Sequence, residues 1–229
     1  MKTLGTVCFA LIVSALSAGG ASAQMGRIPG GGIFASRGLS GLWHPVAGTA
    51  ASYEVKDTRD QTTRQFEFAI INQETIQGKN AVWVEMTVPA QQLGTVVAKE
   101  LVFFDPVKLQ LQTFKGVVQV ADRPPMELPE EMLHEAHPFQ FDDARADSQD
   151  LGKESITTPA GTFSCEHYKK KDGSADFWVS ESVVPIGLVK SVEKGQTVTL
   201  VKTVTNATDK ITGAVQPFDP MMFMPQNPR

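Results

Sequence analysis

The sequence predicts a mainly β (α+β) domain, a curved antiparallel sheet or incomplete barrel of about ten strands with a short helical lid between two strand sets. Three observations carry this expectation. Many segments alternate apolar and polar side chains with the period of two that belongs to strands. Turn signals separate them, among them Gln77-Gly78, Asp172-Gly173 and Lys194-Gly195. Between the two sets, residues 121–152 switch to helical grammar.

The chain opens with an export signal over residues 1–23. Lys2 supplies the positive end, Leu4 to Leu16 the apolar run, and Ala21-Ser22-Ala23 an A-x-A cleavage site before Gln24. That run is too short to span a bilayer, so the expectation is an exported protein, periplasmic or extracellular, that does not cross the membrane. Cleavage removes Cys8 and leaves Cys165 as the only cysteine. No internal disulfide is then available, and stability must come from an ordinary core, feasible for a domain of about 200 residues. The formal net charge of −4 argues against a nucleic-acid surface, which needs clustered Lys and Arg.

Residues 24–40 are too glycine-rich for a stable element and read as a flexible lead-in. A single β-rich domain follows over residues 41–213, with Leu39, Leu42 and Trp43 as candidates to dock on it near its start. The first strand set covers 51–57, 64–72, 81–88, 96–104 and 108–115. Phe66, Phe68 and Ile70 share a face in the second of these. In the third, Val82, Val84, Met86 and Val88 point one way, while Trp83, Glu85 and Thr87 point the other. Trp83 therefore lies on the outer face or under another segment.

In the insertion 121–152, Pro129 suits a first helical position and Glu130 and Glu131 the positive end of the helix dipole. His134 and His137 suit the last turn before Pro138. Met126, Leu128, Met132 and Leu133 form its apolar side. A helix this short is marginal alone, so it must lie on the sheet.

The second strand set runs from Glu154 to Thr205. Phe163, Cys165 and His167 take one face and Ser164, Glu166 and Tyr168 the other. Residues 176–180 return after the Asp-Gly turn, Pro185 marks a corner, and residues 188–192 and 197–205 complete the set. The last strand is rich in β-branched residues, as a long sheet strand should be.

The order of these pieces resembles a known family. A Pro159-Ala160-Gly161-Thr162-Phe163 turn leads into a Cys-x-x-Tyr strand, then Asp176-x-Trp178-Val179-Ser180. Pro185-x-Gly187-Leu188-Val189-Lys190 and Thr197-x-Thr199-Leu200-Val201 follow. Over roughly residues 150–206 the chain is similar to bacterial envelope lipoprotein-carrier-like (LolA-like) proteins and their uncharacterised relatives. That resemblance implies an incomplete antiparallel barrel with an apolar concave face, lidded by helices, which in the best-known members receives acyl chains.

Two classes of function are compatible with these readings. The first is a non-enzymatic binding or carrier protein holding an acyl or other apolar group, such as a lipoprotein acyl chain, on the concave face. Its ligand-binding candidates are Phe66, Phe68, Val84, Met86, Leu109, Leu111, Val198 and Leu200, with Met132 and Leu133 from the lid. Each buried methylene would contribute about 0.8 kcal/mol. The second is a structural or interaction module of the bacterial envelope with a filled core. It would bind a partner protein through its outer sheet face or its Pro/Met-rich tail, residues 214–229.

No serine elbow, phosphate loop or dinucleotide fingerprint occurs, and no catalytic residue, metal or cofactor is assigned. Three weaker constellations are noted. His134 and His137, near Glu130, Glu131, Asp142 and Asp143, lack zinc-hydrolase spacing. Cys165 and His167 share a strand face as a conceivable nucleophile pair without a readable orienting residue. Met221, Met222 and Met224 suit either a Cu(I) site or a docking strip beside Phe218 and Phe223.

Overall fold

The structure is a computed structural model, and it describes residues 39–90, 94–107, 110–130, 133 and 141–219. Alternation and turn chemistry produce two meanders. The first comprises β2 (Thr49–Asp57), β3 (Thr62–Ile76), β4 (Lys79–Ala90), β5 (Gly94–Asp105) and β6 (Gln110–Val120). The second comprises β9 (Ser148–Thr158), β10 (Gly161–Lys170), β11 (Ala175–Val179), β12 (Leu188–Glu193) and β13 (Gln196–Thr205). Three short strands complete the set, β1 (Leu39–Gly41), β7 (Met126–Glu127) and β8 (Phe141–Asp143).

The meanders join side by side through antiparallel pairing of β13 with β2, giving one eleven-stranded sheet in the order β7-β6-β5-β4-β3-β2-β13-β12-β11-β10-β9. Every pair in it is antiparallel, and the sheet is not closed into a barrel. Tyr53 locks the junction. Its ring is buried in the core, and its hydroxyl donates to the Leu188 carbonyl at 3.2 Å, which satisfies the one polar atom that burial would otherwise strand.

The concave face of this sheet holds the apolar core. Cross-strand partners point to the same face, so the pairs Phe68 with Met86, Ile70 with Val84 and Tyr53 with Phe66 build one continuous row. Over that row lie β1 and β8, paired in parallel. The chain after β1 hydrogen-bonds to the corner at 185–186, with Leu42 N–H donating to Ile186 O at 2.7 Å and His44 N–H to Pro185 O at 3.0 Å. Gly41 makes this approach possible, because a Cβ there would stand 2.2 Å from the Ile186 carbonyl oxygen. Trp43, Phe104 and Phe141 then meet as an aromatic trio with centroids 5.3–5.9 Å apart.

Several boundaries differ from the sequence expectation. β1 begins at Leu39, inside the predicted lead-in 24–40, because backbone pairing with β8 orders it. The insertion 121–152 is not wholly helical. It contains β7 and β8, and β9 starts within it at Ser148. β9 escapes detection because it is a sheet edge whose side chains are nearly all exposed, so no apolar alternation marks it. Of the predicted lid, the described residues Glu130 and Leu133 are helical, and Leu133 N–H donates to Pro129 O at 3.2 Å. Glu131, Met132, His134 and His137 lie outside the described residues. The strand predicted over 108–115 runs instead from Gln110 to Val120.

Candidate functional site

The apolar ligand candidates are brought together on the concave face. Phe66, Phe68, Val84, Met86 and Leu200 are buried in the hydrophobic core, and Leu111 and Val198 are half-buried against it. Leu133 is buried as well, outside that cluster and over β6. Gly116 on β6 carries no side chain, and a Cβ there would come within 2.7 Å of Leu133 and 2.9 Å of Leu128. Leu109 and Met132 lie outside the described residues. The core around these candidates is completed by the chain itself, through Leu42, Phe141, Ala144, Val183 and Ile186.

One charged residue type stands in this apolar row. Glu100 on β5 is paired across the sheet with Val84 on one side and Gly116 on the other, so its side chain enters the concave face. It is 0% exposed. Its Oε2 accepts a hydrogen bond from the Thr113 hydroxyl at 3.2 Å, and its Oε1 has no partner among the described residues. Burial raises its pKa to about 8, with the Thr113 bond opposing the rise, so the group is a neutral acid at pH 7.

A second buried glutamate occupies the outer face. Glu85 on β4 pairs across the sheet with Lys99 and Ala69 and is 1% exposed. Residues 207–216 run over it as a strap. The Lys210 N–H donates to Glu85 Oε2 at 3.1 Å, while Glu85 Oε1 has no hydrogen-bond partner among the described residues. Lys99 pairs with Asp209, while Lys210 Nζ reaches Glu67 and the Thr87 hydroxyl. Burial first, then Asp209, raises Glu85 to about 7. Further along, Gln119 on β6 holds the strap twice, accepting from Thr212 N–H at 2.9 Å and donating to Thr212 O at 3.3 Å.

Beside the strap lies an open cleft of about 800 Å³, between Thr95 and Val97 of β5, the 121–125 loop and residues 210–216. Arg123 on its wall has no side-chain ion pair among the described residues. Trp83, on the same outer face, is half-buried: its Nε1–H donates to Glu74 at 3.1 Å and the Lys99 ammonium lies 4.9 Å above its ring.

The two glutamates and the strap were missing from the sequence reading. Glu100 had a legible signal, since it shares parity with Val96, Ala98, Val102 and Phe104 and is the polar member of an apolar row. Glu85 had none, because Trp83 and Thr87 flank it as on any solvated face.

The chemical constellations resolve differently. Cys165 is buried, with Sγ 3.7 Å from Phe163 O, and burial pushes its thiol up to about 11. His167 Nδ1 meets Glu154 at 2.9 Å and Nε2 meets Asp176 at 2.9 Å, while the ring stacks on Trp178 at 4.3 Å. Both ring nitrogens are thereby engaged by carboxylates, and the thiol stays protonated at neutral pH, so no activated nucleophile is assembled. Asp143 is committed to Arg145 in a two-point pair at 2.8 and 2.5 Å. The tail methionines Met221, Met222 and Met224 lie outside the described residues.

Neither a protein-family model nor a curated protein matches the chain. Among solved structures, it is similar to a candidate exported protein with a YmcC-like fold from Bacteroides fragilis, at 10% identity and a TM-score of 0.37, covering 73% of this chain and 100% of that one. It is also similar to a candidate lipoprotein from Parabacteroides distasonis, at 14% identity and a TM-score of 0.35, covering 72% of this chain and 100% of that one.

Proposed function

We propose that the chain is a non-enzymatic, exported interaction module of the bacterial envelope, which keeps a carrier-like curved sheet with a filled core and meets its partner on the outer face. The observation that carries this reading is the ownership of the concave face. Phe66, Phe68, Val84, Met86 and Leu200 are buried with the chain's own Leu42, Phe141, Val183 and Ile186, the positions an acyl chain would otherwise contact. The export signal and the LolA-like order of strands over residues 150–206 support the compartment. The outer face offers the cleft of about 800 Å³ and the exposed strap for a protein partner.

One observation favours the acyl-carrier reading instead. The Glu100 Oε1 has no partner among the described residues of the concave face, and a protonated carboxyl there could donate to the carbonyl of an ester or amide. Native mass spectrometry with lipid extraction, on protein purified from an envelope fraction without detergent, separates the two. The interaction module is expected at its apo mass, with no uptake of added fatty acid or lipopeptide. An acyl species at defined stoichiometry, lost in Glu100→Leu, would establish the carrier.

A further inference from the structure

We propose that the cleft beside the strap is a docking site for an acidic peptide segment of a partner protein, with the Arg123 guanidinium as the anchor for one carboxylate. The inference rests on the interaction-module reading and names the chemistry of its partner.

The cleft is built before any partner arrives. Thr95, Val97 and Gln119 form its floor, and the 121–125 loop and the strap form its walls. Gln119 ties the two walls together. Its Nε2 donates to the Arg123 carbonyl at 2.9 Å and to the Thr212 carbonyl at 3.3 Å, and its Oε1 accepts from the Thr212 N–H at 2.9 Å. The loop is held further by Ala121 N–H to Thr95 O at 2.6 Å, by Arg123 N–H to Val120 O at 3.1 Å, and by the fixed φ of Pro124 and Pro125. Past the cleft the strap is pinned again, with Gln216 N–H donating to Pro125 O at 2.8 Å and Glu127 N–H to Gln216 O at 2.9 Å. A site fixed in this way has little freedom to lose on binding.

Donors are left over on both walls. Arg123 is half-buried, yet its guanidinium has no hydrogen bond or ion pair among the described residues. Lys210, the other cation at the cleft, is committed to Glu67 and the Thr87 hydroxyl. On the strap, the N–H groups of Gly213 and Ala214 have no acceptor among the described residues either. Donors without acceptors on two sides of one opening suit an anion. The charge balance sets its kind. One guanidinium, with the Asp122 carboxyl next to it in the chain, matches a single carboxylate and disfavours a phosphate or a polyanion. Size and lining set its source. A cleft of about 800 Å³ is more than one free ion fills, and Val97, Ala121, Pro124, Pro125 and Ala214 offer apolar contact to the residues on either side of the acid.

Selection from a random-peptide display library on the exported protein tests the site. Enriched peptides are expected to share one Asp or Glu flanked by small or apolar residues. Their affinity should fall by about tenfold or more in Arg123→Gln, and equally in peptides whose acid is replaced by its amide, the usual loss for one charge-assisted pair. Arg123→Lys, which keeps the charge without the planar fork, should fall in between. Asp122→Asn should tighten binding by about twofold, since it removes the opposing charge. The Arg123 side chain has no partner to lose, so Arg123→Gln should unfold at the denaturant midpoint of the parent chain; should it fold poorly, the amide-replaced peptides read the same contact on the parent. Peptides that lack an acid, or that bind Arg123→Gln as tightly as the parent, overturn the acidic-peptide site. If Trp83→Ala weakens those peptides, the interaction module stands with its docking site elsewhere on the outer face. Inorganic phosphate that displaces the peptides at equal concentration overturns the proposal in favour of a small-anion site. Absence of any enriched peptide overturns it too, and joined to acyl uptake in native mass spectrometry it overturns the interaction module as well.

Discussion

Glu85 and Glu100 lie on adjoining strands of one sheet, equally buried, and differ in what covers them. Glu85 looks outward into a cluster with two lysines, Lys99 and Lys210, and two further acids, Asp209 and Glu67, under a strap with little apolar burial. Glu100 looks inward, among Val84, Thr113 and the Leu133 that fills the space over Gly116. Burial raises both pKa values, yet among the described residues only the outer acid has charged neighbours that act on it. The difference teaches that burial sets the direction of a titration, while the charges that meet a buried acid decide how far it goes.

The contrast can be tested first through the two faces themselves. Phe68→Ala on the concave face should cost about 3–5 kcal/mol in denaturant unfolding, the usual effect of a large core cavity. Trp83→Ala on the half-buried outer face should cost about 1 kcal/mol, chiefly its contact with Lys99. Comparable losses would mean that the outer face is as well covered as the core.

A second test removes the inner acid. Glu100→Met should raise stability at pH 8 by about 1–3 kcal/mol, because it deletes a buried oxygen without a partner. A loss of that size would instead reveal that Glu100 has a partner in solution, and would favour the carrier reading.

The pH dependence of unfolding should show both residues. An acid whose pKa is higher in the folded state keeps a proton that the unfolded chain has already released. Stability is therefore greatest below the ordinary value of 4.5 and declines as pH rises, until about 7 for Glu85 and about 8 for Glu100. Each residue should contribute about 1.4 kcal/mol per pH unit inside its window. Glu85→Gln should remove the part that ends near pH 7 and leave the Glu100 part, and Glu100→Gln should do the reverse. A decline unaffected by either variant would place its cause elsewhere.

The smallest expected effect concerns the single bond that Glu100 does make. Thr113→Val should cost about 1 kcal/mol in the parent chain and close to nothing in Glu100→Met. Equal costs in both backgrounds would show that the hydroxyl acts through other contacts.

Much of the fold was legible because period-two alternation reports directly on a strand half-buried in a sheet. Phe66, Phe68 and Ile70 in β3 share one face, as do Val82, Val84 and Met86 in β4, as alternation predicts, and these faces lie in the core. The turns at Gln77-Gly78 and Lys194-Gly195 also hold, with φ values of 52° and 73°, and 22° and 85°, that tight hairpins require. β10 was legible only in part. A register shift between Glu166 and Tyr168, opposite Gly152 on an unrecognised partner strand, buries Tyr168 on what simple alternation makes the face opposite Cys165. The outer site was hidden for a related reason, since Asp209 and Lys210 stand far from Glu85 and Lys99 in sequence and carry no pattern that pairs them.

By itself, the sequence determined the class, the two meanders, most turns and which residues of β3 and β4 share a face. Each of these depends on neighbours within a few residues, where backbone periodicity and turn conformation act. Only the tertiary structure decided that β13 joins β2, that β1 and β8 close over the core, that exposed β9 is a strand at all, and which covers seal Glu85 and Glu100. Those outcomes rest on groups distant in the chain meeting where water is excluded, and desolvation depends on every element that arrives there rather than on any one stretch of residues.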